Sequence, residues 1–99
     1  MSKFELMAIL RPDMLETDID KLMDYISKKI KEAAGDVIES SKWGKKYLAY
    51  EIKGYTQGYY ILIIFKGNEL LESELNSMLK DNPDVIRFIL IHDDKTIYQ

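Results

Sequence analysis

Cysteine is absent from this 99-residue chain, which also has only five glycines, two prolines and one histidine. The absence of cysteine excludes disulfide bonds, thiolate metal sites and cysteine nucleophiles, and it is typical of proteins from a reducing cytoplasm. The longest apolar run, residues 59–65, is far shorter than the roughly 20 residues that cross a bilayer. The N-terminal residues show no signal-peptide pattern. We therefore expect a cytoplasmic protein without a membrane segment.

Motifs of known catalytic and metal sites are lacking as well. The chain has no phosphate-binding loop, nucleophile elbow, calcium loop or zinc signature. Its only histidine, His92, has no evident carboxylate or serine partner, and such a histidine is more often a surface residue than a catalyst. The sequence therefore predicts no enzyme activity, no cofactor, no metal and no small-molecule substrate. Hydrolysis of acyl phosphates that depends on Arg11 would contradict this prediction.

The composition that remains is that of a globular protein. With 46 % hydrophobic residues the chain can form a core, and its length predicts one domain over residues 1–99 with a short polar tail at 92–99. The net charge of −3 by itself argues against nucleic-acid binding. The charges are segregated, however. Acidic residues crowd positions 13–24, whereas four lysines lie between positions 42 and 53.

Periodicity predicts six secondary-structure elements. Residues 3–10 form a strand, and a capping box at residues 17–20 begins a helix that ends near Gly35. Residues 36–52 form a strand with a bulge at Gly44, and a turn-rich stretch at 53–58 leads into a third strand at 59–66. Asn68 is the expected N-cap of a second helix, which residues 81–84 end. The last strand covers residues 85–91.

The order β-α-β-β-α-β predicts a ferredoxin-like α+β fold, in which a four-stranded antiparallel sheet carries two helices on one face. Strands one and three should be central. The helical stripes facing the sheet are Ile19, Leu22, Met23, Ile26 and Ile30 in the first helix and Leu71, Leu75, Met78 and Leu79 in the second. The sheet residues expected beneath them are Phe4, Leu6, Ala8, Leu10, Ile61, Ile63, Phe65, Phe88 and Leu90.

The sheet face without helices is expected to be unusually apolar. Because side chains alternate across a strand, the charged residues Glu5, Lys66 and Arg87 fix which face each strand turns outward. That phase places seven apolar side chains on the open face: Met7, Ile9, Tyr60, Leu62, Ile64, Ile89 and Ile91. A contiguous patch would cover roughly several hundred Å², which is typical of a surface for a protein partner or a second copy of the chain. The alternative is that central strands are simply hydrophobic, or that the alternation shifts at a bulge.

A basic and aromatic segment, residues 42–47, lies on the predicted edge strand. Lysines on an edge strand commonly prevent sheet-to-sheet pairing. Basic groups interleaved with aromatics also suit the phosphates and exposed bases of a folded RNA. The residue chemistry alone leaves both interpretations open.

Residues 44–50, Gly-Lys-Lys-Tyr-Leu-Ala-Tyr, followed by Gly-Tyr-Tyr at 58–60, resemble the bacterial small-subunit ribosomal protein family numbered six. That family has Gly-x-(Arg/Lys)-(Arg/Lys)-Leu-Ala-Tyr-Pro-Ile and then Gly-Tyr-aromatic. Phe-Glu at residues 4–5, Leu-x-Pro at 10–12 and Asp-Val-Ile-Arg at 84–87 also match its pattern. The chain departs from it at Glu51, where proline is usual, and at Tyr47, where a basic residue is usual.

The resemblance implies a ferredoxin-like fold in a structural constituent of the small ribosomal subunit. It further implies binding to the central domain of small-subunit ribosomal RNA together with the ribosomal protein numbered eighteen, which would account for the apolar excess on the sheet. We expect phosphate contacts from five residues: Lys3, Lys45, Lys46, Arg87 and His92. One alternative is a ferredoxin-like dimerising or regulatory module without RNA binding. Another is a small acylphosphatase-like hydrolase, for which Arg11 lacks a glycine-rich cradle.

Overall fold

The computed structural model describes residues 1–93; the remainder of the predicted polar tail, residues 94–99, lies outside the described part. Six elements follow in the order β1 (Ser2–Leu10), α1 (Glu16–Glu32), β2 (Asp36–Ile52), β3 (Tyr55–Gly67), α2 (Glu69–Asp81) and β4 (Val85–His92). The strands form one antiparallel sheet in the order β2-β3-β1-β4. The predicted α+β ferredoxin-like fold with central first and third strands is confirmed. His92 is the last residue of β4, so this strand ends one residue later than predicted.

The connection between β2 and β3 is shorter than the predicted turn at 53–58. Only Lys53 and Gly54 separate the strands, and both have positive φ, 51° and 84°. A two-residue hairpin turn of the type I′ class needs positive φ at both positions, because that twist matches the twist of the flanking strands. Both strands therefore extend almost to the tip of the hairpin, and β3 begins at Tyr55 rather than at Tyr59.

The start of α1 differs from the predicted capping box. The helix begins at Glu16, and its N-cap, Leu15, makes no side-chain capping bond. Thr17 therefore lies inside the first turn, and the capping-box prediction is wrong. Glu16 and Asp18 in that turn favour the helix start through the helix dipole. The N-cap prediction for α2 is confirmed, since the Asn68 side chain accepts a hydrogen bond of 2.8 Å from the backbone N–H of Leu71.

The end of α1 uses an alanine where glycine is usual. Ala34 has a φ of 62°, and its N–H donates to the carbonyl of Lys31, while the N–H of Gly35 donates to the carbonyl of Ile30. These two bonds form a Schellman motif with Ala34 in the left-handed position. Gly35 is needed for another reason, since a Cβ there would lie 2.5 Å from the carbonyl oxygen of Lys66.

Replacing Ala34 with glycine should therefore stabilise the protein. An L-residue in the left-handed region carries a conformational cost that glycine avoids, so we expect Ala34→Gly to raise the free energy of unfolding by about 1 kcal/mol. Ala33→Gly is the matched control, because Ala33 has a φ of −90° and gains nothing from glycine. Urea unfolding of both variants measures the difference. If both changes destabilised the protein equally, Ala34 would not be the strained left-handed residue at the end of α1.

The core lies between the helices and one face of the sheet, as predicted. The described part of the chain buries no polar or charged residue there. Phe88 and Leu90 are only partly buried against this core, because β4 is an edge strand. The buried residues are Phe4, Leu6, Ala8, Leu10, Ile19, Leu22, Met23, Ile26, Ile30, Ile61, Ile63, Phe65, Leu71, Leu75, Leu79, Val85 and Ile86.

Candidate functional site

The open face of the sheet brings the seven predicted apolar residues together. In the strand register Met7 lies opposite Leu62 on β3 and Ile89 on β4, and Ile9 lies opposite Tyr60. Ile64 and Ile91 flank Glu5 in the same way. Directly opposite residues on neighbouring strands share a face. The seven side chains are therefore contiguous, and we call them the apolar face: Met7, Ile9, Tyr60, Leu62, Ile64, Ile89 and Ile91.

Exposure within the apolar face increases toward the β4 edge. Ile89 and Ile91 are 55 % and 44 % exposed, whereas the residues on β1 and β3 are half-buried by their neighbours. An aliphatic side chain at this exposure gains free energy when a partner removes it from water, at about 25 cal/mol per Å² of apolar area. The geometry suits a hydrophobic contact centred on β1, β3 and β4.

Charged residues border one end of the apolar face. Lys3 lies opposite Lys66, and its ammonium is 3.8 Å from the carboxylate of Asp93. Asp93 also raises the pKa of Glu5, through a side-chain hydrogen bond and through charge repulsion. This end therefore carries both charge signs, and Lys3 is partly neutralised within the chain.

The other end is bordered by a bulged segment of β2, residues 48–51, which has no register partner on β3. The Tyr50 hydroxyl accepts a hydrogen bond of 2.8 Å from the guanidinium of Arg87, which also lies 5.7 Å from the centre of the Tyr50 ring. Leu48 packs near Gly58, where a Cβ would overlap Ile9. The segment thus bends toward β4 and orients Arg87.

The first lysine of the basic segment is neutralised by α1. Lys42 forms ion pairs with Asp20 and with Glu16, the latter at 3.1 Å. Hydrogen bonds to these carboxylates raise the pKa of Lys42 above its usual range. The Tyr59 hydroxyl donates to Glu16 at 3.2 Å, and burial raises the Tyr59 pKa. Two acids from the acidic segment therefore anchor the edge strand to the helix.

The two following lysines point to opposite sides of the sheet. Lys45 lies opposite Tyr59, which faces the helices, whereas Lys46 lies opposite Gly58. Because side chains alternate along a strand, Lys46 shares the side of the apolar face and Lys45 the side of the helices. Both are exposed. The bulge predicted at Gly44 is present, with a register shift between Lys42 and Gly44.

The structure does not bring the five predicted phosphate-contacting residues into one patch. Lys3 and Arg87 border opposite ends of the apolar face, since Arg87 lies opposite Ile9, which is six residues from Lys3 along β1. At the rise of a strand this is roughly 20 Å. His92 lies on the helix side, stacked on Phe4 with ring centres 4.6 Å apart. Lys45 and Lys46 occupy the β2 edge.

Arg11, the residue that a hydrolase would need, is held by two carboxylates. Its Nε lies 2.6 Å from Asp84 and its Nη1 lies 3.0 Å from Asp13. Asp84 accordingly raises the pKa of Arg11, and Arg11 lowers the pKa of Asp13. Residues 1–93 contain no group of three or more histidine or carboxylate side chains placed to hold a metal ion. No helix in that range has the length and apolar content needed to cross a membrane.

Comparison with known proteins gives a consistent match along the chain. The profile of the family described as ribosomal protein S6 matches residues 3–92. Small ribosomal subunit protein bS6 of Symbiobacterium thermophilum is 38 % identical over 91 residues, covering 92 % of this chain and 96 % of the relative. The protein of the same name from Heliobacterium modesticaldum is 30 % identical over 95 residues, covering 96 % and 99 %.

A solved structure has the same fold. The crystal structure of 30S ribosomal protein S6 from Thermotoga maritima superposes with a TM-score of 0.84 and covers 99 % of this chain and 98 % of that one. Its sequence is 24 % identical. At that identity the superposition supports the ferredoxin-like architecture, while the sequence matches carry the family relationship.

Proposed function

Because this chain belongs to the ribosomal protein S6 family of the small ribosomal subunit, we propose that it binds small-subunit ribosomal RNA together with the ribosomal protein numbered eighteen. Family membership places it on the ribosome in the cytoplasm. The observation that carries the proposal is the family match over residues 3–92, which covers all six elements of the fold except Ser2, the first residue of β1.

The apolar face supports the assignment of a protein partner. It is contiguous and free of helices. Lys3 and Arg87 lie beyond its two ends, and Glu5 lies between Ile64 and Ile91 at one of them, away from Met7 and Leu62. An apolar centre with a polar rim is the usual anatomy of a protein interface. We assign the partner contact to this face, with Leu62 and Met7 at its middle.

The distribution of neutralised and free cations supports the RNA contacts. Among the residues that the structure describes, Lys42 and Arg11 are paired with carboxylates, whereas Lys45, Lys46 and Arg87 form no ion pair. Phosphate binding needs local positive charge that the protein does not itself neutralise. We assign phosphate contacts to Lys45, Lys46 and Arg87. Lys3 and His92, which lie at the end of the sheet away from Arg87, remain predicted phosphate contacts.

Reconstitution tests the proposal. The purified chain, the partner protein and a central-domain fragment of small-subunit ribosomal RNA should form a ternary complex in sedimentation experiments, and binding should weaken as salt rises. The chain alone should bind the RNA more weakly than the pair does. A stable homodimer that ignores both the RNA and the partner would contradict the proposal and favour the dimerising-module alternative.

The lysine pair on the β2 edge provides a sharper test. Because each lysine that binds a phosphate releases counterions, Lys45→Ala and Lys46→Ala together should reduce the slope of log affinity against log salt by about one unit for each phosphate interaction removed. The single variants test the two sides of the strand separately. The control is the pair Lys21→Ala and Lys28→Ala on the exposed side of α1, which removes the same charge. An unchanged slope in the β2 variants would remove these lysines from the interface.

We further propose that the chain has no catalytic role. Ribosomal protein S6 is a structural family, and the arginine required by the hydrolase alternative is already engaged by Asp84 and Asp13. Acyl phosphate hydrolysis above background that disappears in Arg11→Ala would overturn this.

A further inference from the structure

A cleft of about 230 Å³ lies where the β2–β3 hairpin, the end of α2 and the start of β4 meet. Its floor is apolar and includes the buried residues Leu79 and Val85. Three exposed cationic residues, Lys53, Lys80 and Arg87, line it together with apolar residues, and no carboxylate is among its lining residues. We call this feature the hairpin cleft.

The three cations of the hairpin cleft are not neutralised within the described part of the chain. Ion pairs in residues 1–93 involve Lys3, Arg11 and Lys42, but none of the residues of the cleft. Asp84, the residue before β4, is bound to Arg11. In a chain with a net charge of −3, this concentration of unpaired positive charge around one concavity creates a local potential that attracts anions.

The fold fixes the backbone positions of the two lysines, and a tyrosine orients the Arg87 side chain. Lys53 lies in the two-residue hairpin turn, where its φ of 51° and the adjacent Gly54 fix the backbone. Arg87 is oriented by its hydrogen bond to the Tyr50 hydroxyl. Lys80 lies in the last turn of α2, where a cation also stabilises the helix dipole. Groups that are positioned before binding lose less conformational entropy when a ligand arrives.

We propose that the hairpin cleft binds a backbone phosphate of RNA, with Lys53, Lys80 and Arg87 supplying the positive charge. The guanidinium can donate two parallel hydrogen bonds to phosphate oxygens, and the lysines act as point charges. This inference rests on the proposed ribosomal RNA binding, and it adds Lys53 and Lys80 to the interface. It extends the RNA-binding surface from the β2 edge around the hairpin to the start of β4.

The test compares two double variants of equal charge in RNA binding with the partner protein present. Lys53→Ala with Lys80→Ala should reduce the salt slope by up to about one unit, because the single phosphate interaction of the cleft is weakened or lost. Lys21→Ala with Lys28→Ala on α1 removes the same charge and should leave the slope unchanged. Lys53→Arg with Lys80→Arg keeps both charges and should restore the slope. Thermal unfolding of each variant checks that the fold is intact.

The outcomes separate this inference from the proposed function. If the unmodified chain binds no ribosomal RNA, the proposed function itself fails. If it binds and the cleft variant keeps the full slope, or if both double variants reduce the slope equally, the cleft is not a phosphate site. Backbone amide signals of the cleft should shift with RNA and not with inorganic phosphate at the same salt concentration. Shifts with inorganic phosphate alone would assign the cleft to a free anion and overturn the proposal.

Discussion

Leu62→Asp should weaken the proposed binding to the ribosomal protein numbered eighteen by about a hundredfold or more. Leu62 lies in the middle of the apolar face, directly opposite Met7. In the free protein a carboxylate at this half-buried position reaches water, whereas in the complex it would be buried without a partner. An uncompensated buried charge costs about 3 kcal/mol or more, which corresponds to at least a hundredfold in Kd. Isothermal titration with the purified partner measures the loss.

Leu70→Asp is the matched control for this prediction. Leu70 is 68 % exposed on α2, on the opposite side of the sheet from the apolar face. The same substitution there should leave partner binding unchanged. In RNA binding without the partner, Leu62→Asp should leave the salt slope nearly intact, because no phosphate interaction is removed. Unchanged partner affinity, or a flattened slope, would show that it is wrong to assign protein contact to the apolar face and phosphate contact to Lys45, Lys46 and Arg87.

Ile26→Ala and Leu75→Ala should each reduce the free energy of unfolding by about 2–5 kcal/mol. Both side chains are 0 % exposed, on the faces of α1 and α2 that pack on the sheet. Each truncation removes buried methyl groups and leaves a cavity that close-packed neighbours fill only in part. Urea unfolding followed by circular dichroism measures the change.

Leu70→Ala is the control for the core variants. Its side chain belongs to α2 but is mostly exposed, and surface substitutions of this kind usually change stability by about 0.5 kcal/mol or less. A loss below about 1 kcal/mol in Leu75→Ala would mean that the buried face of α2 has been assigned incorrectly. If Leu70→Ala and Leu75→Ala reduced the free energy of unfolding by similar amounts, the buried face of α2 would again be assigned incorrectly.

The Leu62 variant and the core variants test opposite faces of the same sheet. The proposed partner binding uses side chains that the fold leaves exposed, such as Ile89 and Ile91. Stability depends on the opposite side of the same strands, such as Phe4 and Leu6 on β1. Neighbouring residues along a strand point to opposite faces of the sheet. The exposed residues and the core residues therefore alternate along each strand, and a register shift of one residue would exchange them.

The sequence by itself determined the fold and both faces of the sheet. Alternation in residues 3–10 and the 3.6-residue stripe from Ile19 to Ile30 are local patterns, and each fixes its own buried side without knowledge of distant residues. The start of α1 was predicted wrongly because the chain begins that helix without a side-chain cap at Leu15. Propensity for a capping box is a weak signal that the preceding turn can override.

The tertiary structure alone decided which cations are free to bind a ligand. Lys42 reaches Glu16 across 26 positions, Arg11 reaches Asp84 across 73, and Arg87 reaches Tyr50 across 37. Such contacts depend on how a bulged hairpin and a helix are placed in space, which no local pattern encodes. The sequence groups four lysines between positions 42 and 53. In the fold, Lys42 is neutralised by carboxylates and the next two lysines lie on opposite sides of the sheet. Lys53, in the hairpin turn, lines the same cleft as Lys80 and Arg87.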